Sequence, residues 1–314
     1  MMSHAFSSRA LFDQESLIQH YADDLMTAVR ELGSRGPISL VEVFNWTTFD
    51  VLGELAFGEP FGSLANRKTS SWIAIILDSI KFNAVREGGL KHALESKDKV
   101  LKRAAREPKR QDFVSYILVK RDELHITDWD LAAHANALIV AGSETSATVL
   151  SGLHYYLLNT PDAYSKLREE VRSRFNTVEK VDARSAASLP YLTACIEEAF
   201  RIYPPIPIAM PRITPMGGCM VAGHYVPGTT VGVHMWSVTH NPRHFADPDT
   251  FRPERWIDPE CSNHWDASKP FLLGPRMCMG VNMACIEIRV LMAKMTLLFD
   301  MEICDNDLNW ERDQ

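Results

Sequence analysis

Phe271-Leu272-Leu273-Gly274-Pro275-Arg276-Met277-Cys278-Met279-Gly280 surrounds one cysteine with an aromatic residue, two glycines and an arginine at fixed places. The apolar spacing of Ile286, Val290, Ala293 and Leu297 predicts a helix directly after it. Cys278 therefore precedes a helix N-terminus, where unpaired N–H groups and the helix dipole favour a thiolate. Such a thiolate suits a soft metal ligand, and Gly274 and Gly280 would let the backbone approach a flat cofactor. A lone cysteine at such a place is most often a buried structural residue. Five specified positions in ten, however, arise by chance in a chain this long on the order of once in ten thousand sequences.

The segment resembles the haem-binding signature of the cytochrome P-450 family, Phe-x-x-Gly-x-Arg-x-Cys-x-Gly, with every specified position filled. The resemblance implies that Cys278 is the axial thiolate of a haem b iron. It implies that Arg276 pairs with a haem propionate and that Phe271 packs beside the sulfur and shields it.

With 314 residues the chain can bury a large core, and 46% hydrophobic and 23% charged residues describe a globular protein. A net charge of -7 provides no basic footprint for nucleic acid. The six cysteines include no C-x-x-C pair and read as reduced thiols of an intracellular protein. There is no run of 18 apolar residues and no signal peptide at the N-terminus. Family members are longer, and full-length ones are expected at the endoplasmic reticulum membrane through an anchor. By the resemblance, that anchor, the first helices and much of the β-sheet domain are expected to be missing from this sequence.

Helical spacing is expected over 14–32, over 39–57 ahead of Gly58 and Pro60, and over 70–86. The basic stretch 91–110 reads as a solvated helical face, joined to its predecessor by Glu87-Gly88-Gly89-Leu90. In the family that connection is a longer lid. The segment Ser3–Leu11 is similar to the end of the helix that crosses the propionate edge.

The strongest helix is expected from an N-cap at Thr127, with Asp130 completing a capping box, to Leu158 ahead of Asn159-Thr160-Pro161. Its middle reads Ala141-Gly142-Ser143-Glu144-Thr145-Ser146, poor helix-interior chemistry that a long helix keeps for a functional reason. This resembles the family's distal-helix motif, in which the helix kinks over the haem. By that resemblance Thr145 hydrogen-bonds the oxygen held at the iron, and Glu144 belongs to the acid and water chain that delivers protons. Ala141 and Gly142 would stay small so that O2 and substrate fit.

Further helices are expected from Pro161 to Phe175 and from Ser188 to Tyr203. Within the second, Glu198 and Arg201 stand at i, i+3, a common and weak surface pairing taken alone. The family's Glu-x-x-Arg motif falls here, and Arg255 of Phe251-Arg252-Pro253-Glu254-Arg255-Trp256 matches its third member. The resemblance gives these three a structural role, holding the cysteine loop in register. Residues 207–236 read as short strands and hairpins, with Arg212 where the family places a second propionate-binding arginine and 206–210 lining the substrate pocket. His234, His240 and His244 read as ordinary structural or surface residues.

The expected architecture is mainly α with small β regions (α+β), one cytochrome P-450 domain over 1–314 that is incomplete at both ends. Its landmarks are the distal helix at 127–160 and the thiolate loop with its helix at 271–300. The function implied is a haem-thiolate monooxygenase of filamentous-fungal secondary-metabolism type. It would insert one atom of O2 into a small apolar terpenoid or polyketide, with electrons from NADPH through a flavoprotein reductase. Alternatives are a truncated, silent family member, or a haem protein that isomerises or uses peroxide; the Glu144-Thr145 pair argues against the latter.

Overall fold

The computed structural model describes residue 6 and residues 14–82, 87–106, 112–261, 264–305 and 307–313. Helices dominate: α1 (Glu15–Gly33), α2 (Leu40–Phe57), α3 (Ser63–Asn66), α4 (Ser71–Phe82), α5 (Glu87–Ala104) and α6 (Phe113–Leu118) precede α7 (Asp128–Leu158). After it come α8 (Pro161–Arg174), α9 (Ala183–Ala187) and α10 (Pro190–Ile202). A strand-containing segment then leads through α11 (Met235–Thr239) to α12 (Val281–Leu298) and α13 (Trp310–Asp313).

α7 is the axle. Thr127 caps it, its hydroxyl accepting from the Asp130 backbone N–H while the Asp130 carboxylate accepts from the Thr127 N–H at 2.9 Å. The helix passes through Ala141–Ser146 without leaving helical conformation. α2 lies along it and is buried on nearly every side, as its high content of Val, Phe, Trp and Leu requires. Small residues let the two helices close: a Cβ at Gly142 would sit 3.2 Å from Leu52, and the Ser143 hydroxyl donates to the Thr48 carbonyl at 3.1 Å. α12 packs across α7, α1 and α8, and residues 290–296 are all buried there.

Two two-stranded antiparallel sheets fill 212–231. β1 (Arg212–Ile213) pairs with β4 (Thr230–Val231), and β2 (Cys219–Val221) with β3 (His224–Val226). Ala222 and Gly223, both at positive φ, make the tight two-residue turn between β2 and β3. This region presents much apolar surface, with Ile213 84% and Met216 fully exposed.

Glu87-Gly88-Gly89-Leu90 is not a link, as its glycines suggest, but the first turn of α5. The connection itself, 83–86, lies outside the described residues, as do all of Ser3–Leu11 except Phe6.

Candidate functional site

The site forms where the loop before α12 faces the middle of α7. The loop is set by three backbone bonds: Leu272 N–H to Lys269 at 2.9 Å, Met277 N–H to Gly274 at 3.0 Å, and Cys278 N–H to Phe271 at 2.8 Å. Leu272 (φ 62°) and Gly274 (φ 73°) take left-handed backbone, natural for glycine and strained for leucine. A single 3-10 turn over Gly274–Arg276 brings the chain round, and Gly280 caps α12. Gly280 has ordinary φ, -82°. What its missing side chain preserves is space beside the sulfur, since an added Cβ would lie 3.7 Å from Cys278 Sγ.

A cavity of about 310 Å³ lies here, with Cys278, Phe271, Met279 and Gly280 on one side and Ala141, Gly142 and Thr145 of α7 on another. Leu52, Met283 and Ala284 add further apolar wall. Phe271 is held edge-on against Phe200 of α10, ring centroids 5.0 Å apart. The Thr145 hydroxyl donates to the Ala141 carbonyl at 2.6 Å, leaving its lone pairs toward the cavity it lines.

Glu287 of α12 also lines the cavity, a residue that sequence reasoning did not single out. It is buried, its Oε1 has no hydrogen-bond partner among the described residues, and burial pushes its carboxyl up to about 8, against the opposing pull of the Ser146 hydroxyl. Its signal lay in helical spacing: nine residues past Cys278, on the same side of α12 as Met283 and Ala284, it is the one acid in that stretch.

Other sequence-predicted residues fall elsewhere. Arg276 and Arg212 are exposed, Arg212 donating to the Pro211 carbonyl at 2.9 Å, and neither lines the cavity. Gly274 and Glu144 lie beside it rather than on its wall.

Behind the loop the structure draws Glu198, Arg201 and Arg255 together with no exposed surface. Arg201 grips both carboxylate oxygens of Glu198 at 2.9 Å, and Arg255 Nε, the Trp256 indole N–H and the Arg252 backbone N–H each donate to it at 2.9 Å. The remaining guanidinium donors go to carbonyls of 239, 246–248 and 250, so two buried cations share one anion and a cage of dipoles. Burial lowers the Arg255 pKa despite that carboxylate.

Of the three histidines, His234 caps α11, His240 stacks on Trp236 with centroids 4.3 Å apart, and His244 meets His264 edge-on. No cluster of three or more metal-ligating side chains occurs among the described residues. Their cysteines are free thiols, and no described helix is long and apolar enough to cross a membrane. A cavity with apolar walls and small residues facing one soft thiol fits a flat, largely apolar macrocycle that takes a single sulfur ligand.

Comparison with known proteins agrees with that fit. A cytochrome P-450 monooxygenase of Penicillium roqueforti is 37% identical over 335 residues, covering 99% of this chain and 65% of its own length. Trichothecene C-4 hydroxylase of Trichoderma arundinaceum is 37% identical over 346 residues, covering 98% of this chain and 69% of its own. Averantin hydroxylase of Dothistroma septosporum is 37% identical over 328 residues, covering 96% and 62%. The chain thus spans about two thirds of the length of these curated relatives. The cytochrome P-450 family model matches residues 80–313, and with relatives of this identity along nearly its whole length the chain belongs to the cytochrome P-450 family.

Proposed function

We propose that this chain is a haem-thiolate monooxygenase acting on a small apolar secondary metabolite. The observation that carries the proposal is that the Cys278 thiol shares one apolar cavity with Ala141, Gly142 and Thr145 of the opposing helix. Bound there, a thiolate-ligated haem b supplies O2 activation: one oxygen atom enters the substrate, the other leaves as water, and two electrons and two protons are consumed. Cys278, which is exposed, would hold the group, with Phe271 and Gly280 beside it on the same cavity wall. Ala141 and Gly142 leave room above it.

Thr145 and Ser146 offer hydroxyls on the cavity side of α7, and Glu287 is a carboxyl poised to hold or release a proton near neutrality. Glu144, next to Thr145, is the acid that connects this hydroxyl to the outside. An NADPH-dependent flavoprotein reductase is the proposed electron donor, docking on the cysteine side. Hydroxylase names among the relatives support a hydroxylation chemistry. The exposed positions of Arg276 and Arg212 favour a second reading, a family member that keeps the fold without turnover.

The carbon-monoxide difference spectrum of the reduced, haem-supplemented protein decides between them. A strongly red-shifted Soret band that is lost in Cys278→Ser is expected. A band typical of neutral ligation, or none, favours the silent protein, and a thiolate-type band surviving in Cys278→Ser removes the ligand assignment.

A further inference from the structure

We infer that the end of α7 remote from Cys278 forms a second, non-catalytic ligand site, which takes an uncharged apolar molecule through a hydroxyl that donates to His154. A cavity of about 670 Å³ lies there, between the last turns of α7, the turn after α1 and the chain after α12. It shares no described residue with the cysteine cavity, and its volume accommodates a drug-sized molecule. His154 follows Thr145 by nine residues on one unbroken helix, about 14 Å along its axis. Ile38, Leu40, Leu158, Phe299, Met301 and Leu308 give the cavity apolar walls.

Ser151, His154, Tyr155 and Leu158 stand at i, i+3, i+4 and i+7, so α7 turns them toward the cavity on one face. The three polar ones have each given their proton away. Ser151 donates to the Ala147 carbonyl at 2.7 Å and Tyr155 to the Leu308 carbonyl at 3.3 Å, while His154 Nδ1 lies 2.7 Å from the Leu150 carbonyl. A carbonyl only accepts, so the imidazole proton sits on Nδ1 and Nε2 keeps a lone pair. Nε2 is buried without a partner among the described residues, and burial lowers the ring's pKa to about 4, which leaves it neutral at pH 7. Trp310, the other buried side chain of the wall with a proton to give, holds its indole nitrogen 3.5 Å from where a Cβ on Gly152 would sit. Gly152 is about 200° round the helix from His154. The face of α7 thus presents lone pairs, and the ligand must bring the proton.

Charge narrows the head group further. Asp300 is paired with Arg168 and Arg172, while Glu302 and Asp305 outnumber Arg30 on the wall. That excess disfavours a carboxylate. The buried acceptors are neutral, so a buried ammonium would have no counter-charge. An alcohol or a phenol fits both conditions.

The test titrates the whole chain by calorimetry with 1-naphthol and 1-methoxynaphthalene, which share a ring system and differ in whether the oxygen carries a proton. Wild type is expected to prefer the naphthol roughly fivefold, the worth of one hydrogen bond. His154→Phe should bring the two affinities together, and His154→Gln, whose amide keeps an acceptor, should restore part of the preference. Leu158→Trp, which fills the cavity from the same face, should weaken both probes alike. No binding of either probe, no preference in wild type, an unchanged preference in His154→Phe, or unchanged affinities in Leu158→Trp overturns the inference.

Discussion

On the proposed reading, Thr145 and Glu287 carry the chemistry that a single side chain can change. The Thr145 hydroxyl proton is given to its own helix, so the cavity sees an acceptor that must rotate to donate. Thr145→Ala is expected to retain haem but to release more peroxide per NADPH consumed; equal peroxide from both proteins would remove Thr145 from proton handling. Glu287 titrates near 8 when folded against an ordinary carboxylate value of 4.5, so between those limits the folded chain holds a proton that the unfolded chain has lost. Stability from this group is therefore full below about pH 4.5 and falls as pH rises toward 8, by an amount on the order of 1 kcal/mol per pH unit. Glu287→Gln should flatten that slope in urea unfolding series at pH 5 and pH 8. Cys278 was legible because its neighbours form a spaced pattern. Glu287 was not, because its meaning comes from α12 lying against α7, and no local pattern records that.

Among the elements, the pairing of α2 with α7 depends on what is missing at Gly142. Gly142→Val would force branched carbon into Leu52, and overpacking of this kind costs about 1–3 kcal/mol. The loss should appear as a lower midpoint in chemical unfolding, while Ser151→Ala farther along should change little beyond its own hydrogen bond to Ala147. His154 on α7 sits under Phe44 with Nδ1 2.7 Å from the Leu150 carbonyl, and burial lowers its pKa from 6.5 to about 4. Here the unfolded chain takes up the proton first, so stability falls as pH drops from 6.5 toward 4, the opposite slope to Glu287. His154→Phe should remove that acid sensitivity, which unfolding at pH 4.5 and pH 6.5 will measure. The long helices were legible from apolar period, prolines at N1 and the Thr127 cap. The short ones, α3, α6, α9 and α11, complete too few turns to show a period. The glycine pair at 88–89 was misread because propensity alone cannot show that a helix tolerates it.

At the scale of the whole molecule, the Glu198 network joins α10 to the 239–256 segment, and the cysteine loop rests on α10 through Phe271 and Phe200. Removing the anion strands two buried cations, so Glu198→Ala should cost about 3–5 kcal/mol, seen as loss of soluble protein or a large drop in Tm. Its membership and burial were legible from motif order and the resemblance, whereas the i, i+3 spacing alone, shared by surface pairs, shows neither. The apolar face of 206–236 makes a second prediction: Ile213→Thr with Met216→Lys should reduce aggregation in light scattering at unchanged Tm, since both side chains are exposed. One further property follows from the strained turn at Leu272 and Gly274 together with the Cys278–Phe271 backbone bond. The shape of the loop is thus written into its own backbone, and the two left-handed positions act as its hinge pins. Leu272→Gly, which suits φ 62°, should therefore leave the midpoint of chemical unfolding near that of wild type, whereas Gly274→Val, forced to φ 73°, should lower it.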